Sequence, residues 1–160
     1  MDDRRHSANG TKDRILDTAE RLFAARGYRG TSITRLAREA EVNQAAVNYH
    51  FGSKAGLMEK VIERRADPLN RQREAGLKAV RCRAARQGRR PRVENVLRAF
   101  IEPTFTLIPS KTERKSFLEL AGRALFEPGR VTKKILKRKF EPSFQLLFEV
   151  MHEALPDLPQ

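Results

Sequence analysis

The sequence predicts an all-α protein, with a three-helix helix-turn-helix unit at the N-terminus and longer helices behind it. Three observations carry this. Apolar residues recur at three- and four-residue spacing, the mark of a helix face, along almost the whole chain. Capping Ser, Thr and Asn side chains and helix-stopping glycines alternate at short intervals between Gly27 and Ser53. No alternating apolar and polar run of the kind that makes a half-buried strand is present, and no internal repeat.

The elements follow in order. From Thr11 to Arg26, residues Ile15, Leu16, Ala19, Leu22 and Phe23 share one helical face, and Gly27 stops the helix before a Tyr28-Arg29-Gly30 turn. A short second helix starts at Thr31, read as its N-cap, and turns Ile33, Leu36, Ala37 and Ala40 inward. Asn43 caps a third helix, Gln44 to about His50, whose inward positions are Ala46, Val47 and Phe51. Gly52 ends it. Ser53 then caps a fourth helix that opens with Lys54. Two short helices joined by a tight turn and braced by a longer one give the outline of a helix-turn-helix.

Beyond Lys54 the helices lengthen. Asp67-Pro68 reads as a helix restart, with Asp67 as cap and Pro68 at the first position. Residues 87–92, QGRRPR, read as a loop. Helical stretches are expected at about 93–108, 111–127 and 130–155, divided at Pro109-Ser110 and Pro128-Gly129. Pro103 and Pro142 lie inside two of them and are expected to kink or interrupt those helices. Phe140, Phe144, Leu147, Phe148, Met151 and Leu155 form one apolar stripe, and core packing accounts for most of it. The expected division is a helix-turn-helix domain over 9–60 and a helical domain over 61–160. The end, Leu155-Pro156-Asp157-Leu158-Pro159-Gln160, reads as a linker into a further helix, so the second domain is expected to be incomplete.

Composition narrows the function classes. A chain of 160 residues buries roughly 70% of its unfolded surface, enough for a core without staples. Its single cysteine, Cys82, excludes an internal disulfide framework and fits a reducing cytosol. No stretch of about 18 apolar residues is present to span a membrane, and Met1 to Gly10 carries no secretory signal. No metal-ligand spacing, phosphate loop or paired nucleophile and base marks an enzyme, and no cofactor is expected.

Charge is the first functional hint. Thirty-three Lys and Arg against twenty Asp and Glu leave +13, a field that attracts nucleic acid or an anionic membrane surface. The excess sits late in the chain. Residues 64–98 hold twelve basic residues, opposed only by Asp67, Glu74 and Glu94. That run is either a solvated helical face or a source of added, non-specific attraction to DNA.

The segment from Gly27 to Leu57 carries the sharper signal. Its third helix leaves Gln44, Ala45, Asn48, Tyr49 and His50 facing outward. An α-helix fits the major groove, where Gln or Asn bonds adenine and a small Ala45 lies against a thymine methyl. Tyr49 and His50 are placed to donate to phosphate, and Lys54 adds charge at the next helix start, whose free N–H groups favour an anion.

These residues carry a resemblance. Ile-x-x-Leu-Ala at 33–37, Val42 after the turn and Val-Asn-Tyr-His-Phe-Gly-Ser-Lys at 47–54 are similar to the DNA-binding domain of the tetracycline-repressor (TetR) family, and ILDTAERLFAARGYRGTSI at 15–33 matches the helix that leads into it. The resemblance covers about residues 10–60. It implies a cytoplasmic, nucleoid-associated homodimer that binds a palindromic operator on double-stranded DNA and represses or otherwise controls genes. It also implies a C-terminal ligand-binding and dimerisation domain with a pocket for a small apolar or aromatic effector.

Carried over by position, Ser32 and Thr34 would meet the DNA backbone, Gln44, Ala45 and Asn48 the bases, and Tyr49, His50 and Lys54 mainly phosphate. Phe100, Phe117, Phe144 and Phe148 are the aromatic residues expected at the pocket. Two positions depart from the pattern: Glu41 stands where the family usually has Gly, and Asn48 where many members have Tyr. Two other readings remain beside this one. One is a basic helical protein that binds nucleic acid or membrane without sequence preference. The other is a redox sensor using Cys82, whose arginine neighbours favour a thiolate.

Overall fold

The computed structural model describes residues 3–107, 111–126 and 130–156, and within them all side chains except those of 3–9, 112–114, 124–126 and 130. Among these residues there are eight helices and no strand: α1 (Asp3–Arg26), α2 (Ile33–Glu39), α3 (Gln44–Phe51), α4 (Lys54–Arg86), α5 (Val93–Ile101), α6 (Pro103–Thr106), α7 (Lys111–Phe126) and α8 (Arg130–Ala154). No helix among them is long and apolar enough to cross a membrane. The expected breaks at Pro109-Ser110 and Pro128-Gly129, and the last four residues, lie outside the described residues.

The chain forms two compact units, Met1–Arg64 with Thr112–Leu136, and Arg65–Lys111 with Lys137–Gln160. The first joins residues 112–136 to the N-terminal helices. Both units are therefore discontinuous in sequence, which helix periodicity alone does not reveal.

In the first unit, Ile15, Leu16, Ala19, Leu22 and Phe23 of α1, Leu36 and Ala37 of α2, Val47 and Phe51 of α3, and Leu57, Met58, Val61 and Ile62 of α4 are all buried. Burying a Val, Leu or Phe fully contributes roughly 1.5–3 kcal/mol each, so this face fixes the two short helices, α2 and α3, more firmly than their propensities do. Gly27, at φ 70°, ends α1. Ser32, not Thr31, caps α2, its side chain accepting the Arg35 N–H at 3.2 Å. Thr31 has a different task. It is buried, and its hydroxyl reaches the Gly27 and Leu22 carbonyls at 3.0 and 3.2 Å, clipping the turn onto the end of α1.

The second unit is built on Leu77, Val96, Phe100 and Val150, with Val80, Ala99, Leu146, Leu147 and Met151 against them. The expected restart at Asp67-Pro68 is not observed, for α4 runs unbroken from Lys54 to Arg86 with Pro68 inside. A mid-helix proline costs about 3 kcal/mol in isolation, and local packing offsets it. Ala66 and Leu69 are buried, the Asn70 amide donates to the Lys139 carbonyl at 2.7 Å, and Asp67, expected as a cap, pairs with Lys139 at 3.4 Å. Pro103 does interrupt, standing at the first position of α6 just after α5 ends. Pro142 lies within a continuous α8, where neighbouring Ser143 is buried and bonded to Asn70 at 3.1 Å.

The α8 stripe is wider than the face that is buried. Val150 is fully buried and Leu147 and Met151 partly so, while Phe144 and Phe148 are exposed.

Candidate nucleic-acid interface

The site is built from two helix starts and one turn. After α2 the chain reverses through Ala40, Glu41 and Val42. The Val42 N–H bonds the Ala37 carbonyl at 3.0 Å and the Glu41 N–H bonds the Arg38 carbonyl at 3.2 Å. These two bonds define a Schellman turn, whose C′ residue must enter the left-handed region. Glu41 does so, at φ 54°, the one non-glycine residue with positive φ among the described residues. The turn therefore keeps the geometry a glycine would adopt there, and glutamate carries its strain.

Asn43 then caps α3, its side-chain oxygen accepting the Ala46 N–H at 2.7 Å. Val47 and Phe51 point into the core, while Gln44, Ala45, Asn48 and Tyr49 are exposed and His50 is half-buried. Tyr49 is 86% exposed, a large apolar ring held in water.

Thr34 and Gln44 meet, the hydroxyl donating to the side-chain oxygen at 3.3 Å. The Ser32 oxygen, by accepting the Arg35 N–H, leaves its own hydroxyl proton for an outside acceptor. His50 sits between rings, 5.3 Å from Tyr49 and 6.1 Å from Phe51.

At the next helix start Ser53 accepts the Gly56 N–H at 3.1 Å. Lys54 lies over the Tyr28 ring at 4.5 Å, and partial burial lowers its pKa below the ordinary value and raises that of the Tyr28 phenol. Gly56 admits no side chain, since a Cβ there would stand 2.3 Å from the Phe51 carbonyl oxygen. The start of α4 is thus pressed against the end of α3.

Sequence reasoning missed three supports of this site: the Tyr28 platform under Lys54, the Gly56 contact, and the Glu39 carboxylate. Glu39 accepts from Arg35 at 2.7 Å and from Arg21 at 2.8 Å, and those hydrogen bonds hold its pKa below the usual range. The Arg35–Glu39 spacing of four was legible as a helical pair; Arg21, eighteen residues away, was not.

The four phenylalanines expected at an effector pocket fall in both units. Phe117 is buried in the first unit; Phe100, Phe144 and Phe148 belong to the second. There Phe100 closes the core and meets Phe144 at 5.2 Å, while Phe148 is 67% exposed. Cys82 is a free, exposed thiol on α4, and no cluster of His, Cys, Asp or Glu among the described residues is arranged to hold a metal.

Known proteins place this geometry. The family model for bacterial regulatory proteins of the tetR family matches residues 15–61, and that for the tetracyclin repressor-like C-terminal domain matches residues 98–160. The chain belongs to the TetR family.

Two curated relatives are similar to this TetR-family chain through the helix-turn-helix. The probable HTH-type transcriptional regulator YttP of Bacillus subtilis is 44% identical over 52 residues, 32% of this chain and 25% of that protein. IcaR of Staphylococcus aureus, the HTH-type negative transcriptional regulator of the biofilm operon icaADBC, is 37% identical over 59 residues, 37% of this chain and 32% of that protein. The matches thus span between a quarter and a third of those relatives' length. A longer likeness is to the crystal structure of HlyIIR, a hemolysin II transcriptional regulator, at 29% identity and a TM-score of 0.67, over 92% of this chain and 74% of that one. The TetR fold therefore extends well past the helix-turn-helix.

Proposed function

We propose that this chain is a ligand-responsive transcriptional repressor that binds a palindromic operator as a homodimer in the bacterial cytoplasm, at the nucleoid. The observation that carries the reading is the two-faced character of α3. Val47 and Phe51 anchor it, and Gln44, Ala45, Asn48 and Tyr49 stand clear in solvent. A helix so held enters the major groove with its polar edge toward the bases.

In this reading Gln44, Ala45 and Asn48 touch base edges. Ser32, Thr34, Tyr49, His50 and Lys54 hold phosphate, with the first N–H groups of α4 adding to Lys54. Lys54 is well suited to the task. Its partly desolvated ammonium, resting on Tyr28, gives up little further hydration when a phosphate arrives.

Dimerisation matches the protein's two-fold symmetry to the operator, with half-sites one helical turn, about 34–36 Å, apart. A small apolar or aromatic effector, taken up in the C-terminal region where Phe100 and Phe144 form a ring pair, releases the DNA. It does so only if it binds the DNA-free conformation better. A coupling of about 1–3 kcal/mol then changes occupancy 5- to 150-fold.

Selection of bound duplexes from a random pool tests the reading. A single enriched palindrome is the expected outcome; an unenriched pool overturns it, and favours the basic protein without sequence preference.

A further inference from the structure

The interface described above leaves the arginine-rich end of α4 unused. Gly88, at φ 61°, reverses the chain there, with its own N–H on the Ala85 carbonyl at 3.0 Å and the Arg89 N–H on the Ala84 carbonyl at 3.1 Å. The reversal lays Arg89 and Arg90 beside Arg83 of the last helical turn. Together with Arg92, Gln87 and Asn95 these residues line a cavity of about 200 Å³.

The cavity is strongly cationic and locally unbalanced. Among the described residues no ion pair engages Arg83, Arg89 or Arg90. Glu94, the one acid between Arg83 and Arg98 in the sequence, is shared between Arg92 at 3.8 Å and Arg98 at 3.0 Å. Four arginines line one hollow, three of them without an ion pair among the described residues, and their summed charge favours an anion there. The start of α5 adds to the effect. Its cap position is held by Arg92, whose side chain makes no capping bond, so the first-turn N–H groups lack a side-chain acceptor.

Arginine forks pair with phosphate oxygens two at a time. The hollow is smaller than the roughly 300–1,000 Å³ typical of drug-sized pockets, and a duplex is too broad to enter it. We propose that this cradle binds a small phosphate-bearing anion with at least two negative charges. The site is separate from the operator reading and stands or falls without it.

Titration calorimetry of pyrophosphate into the full chain, with no DNA present, is the test. Saturable binding is expected, weakened about tenfold for each arginine lost in Arg89→Ala and Arg90→Ala, with Arg71→Ala, exposed elsewhere on α4, unchanged. Arg89 and Arg90 are exposed, so unchanged melting of the ligand-free variants is expected to show that folding is intact. Absence of saturation, or binding indifferent to Arg89→Ala and Arg90→Ala, overturns the proposal. So does a loss of random-duplex affinity in the double variant as large as that of Lys54→Ala, because the cradle would then be a contact for the DNA backbone.

Discussion

The Thr34 hydroxyl donates to the side-chain oxygen of Gln44 at 3.3 Å, tying the first turn of α2 to the first residue of α3. The bond uses one of the two lone pairs on the Gln44 oxygen and leaves its amide N–H₂ free as a donor on an exposed side chain. Gln44 thus keeps one acceptor position and both N–H donors, which leaves room for a bidentate contact with adenine while the Thr34 bond orients the amide. A double-mutant cycle of Thr34→Ala and Gln44→Ala on operator affinity is expected to give a coupling of about 0.5 kcal/mol or more. Additive effects would mean that the bond has no part in readout.

Glu41 holds a left-handed conformation in the turn between α2 and α3. A side chain there costs roughly 1–2 kcal/mol, against about 0.5–1 kcal/mol of added chain entropy for glycine. Glu41→Gly is expected to stabilise the protein by about 0.5–1 kcal/mol, raising the melting temperature by roughly 1–4 °C. Glu41→Val is expected to lower it. A melting temperature depressed by the glycine would show that the turn is not strained.

Gly56 lies where a methyl group would strike the Phe51 carbonyl oxygen. Backbone cannot yield as a flexible side chain does, so Gly56→Ala is expected to cost about 1–3 kcal/mol of stability. It should also weaken operator binding, since the start of α4 would shift from α3. Denaturant unfolding and duplex titration measure the two effects, and wild-type values in both would refute the tight junction.

Glu39 titrates below its ordinary value of 4.5 because Arg35 and Arg21 donate to it. A carboxyl with a lowered folded pKa contributes stability above its unfolded pKa and loses it as the pH falls through the folded one. Urea midpoints of wild type and Glu39→Gln are therefore expected to differ at neutral pH and to converge as the pH drops below 4.5. A difference that does not change with pH would rule out this linkage.

Much of the site was legible because its signals are short-range. Asn43 as cap, Gly52 as stop, and the inward pair Val47 and Phe51 all follow from local hydrogen bonding and helical period. What sequence missed depends on tertiary contact. Thr31 and Ser32 are both good capping residues, and only burial of Thr31 against α1 decides between them. Pro68 reads as a helix start by every local rule, yet contacts from residues 139 and 143 hold the helix through it. The assignment of residues 112–136 to the first unit, with Arg123 donating to the Ala25 carbonyl at 3.2 Å, is invisible to any window along the chain.

Affinity of Gln44→Ala, Asn48→Ala and Lys54→Ala for the selected operator and for a scrambled duplex, at one salt concentration, tests the role of α3 most directly. Base contacts require Gln44→Ala and Asn48→Ala each to narrow the gap between the two duplexes by about 1–3 kcal/mol, with Lys54→Ala weakening both alike. If Gln44→Ala and Asn48→Ala leave that gap at its wild-type size, the outer edge of α3 does not read bases.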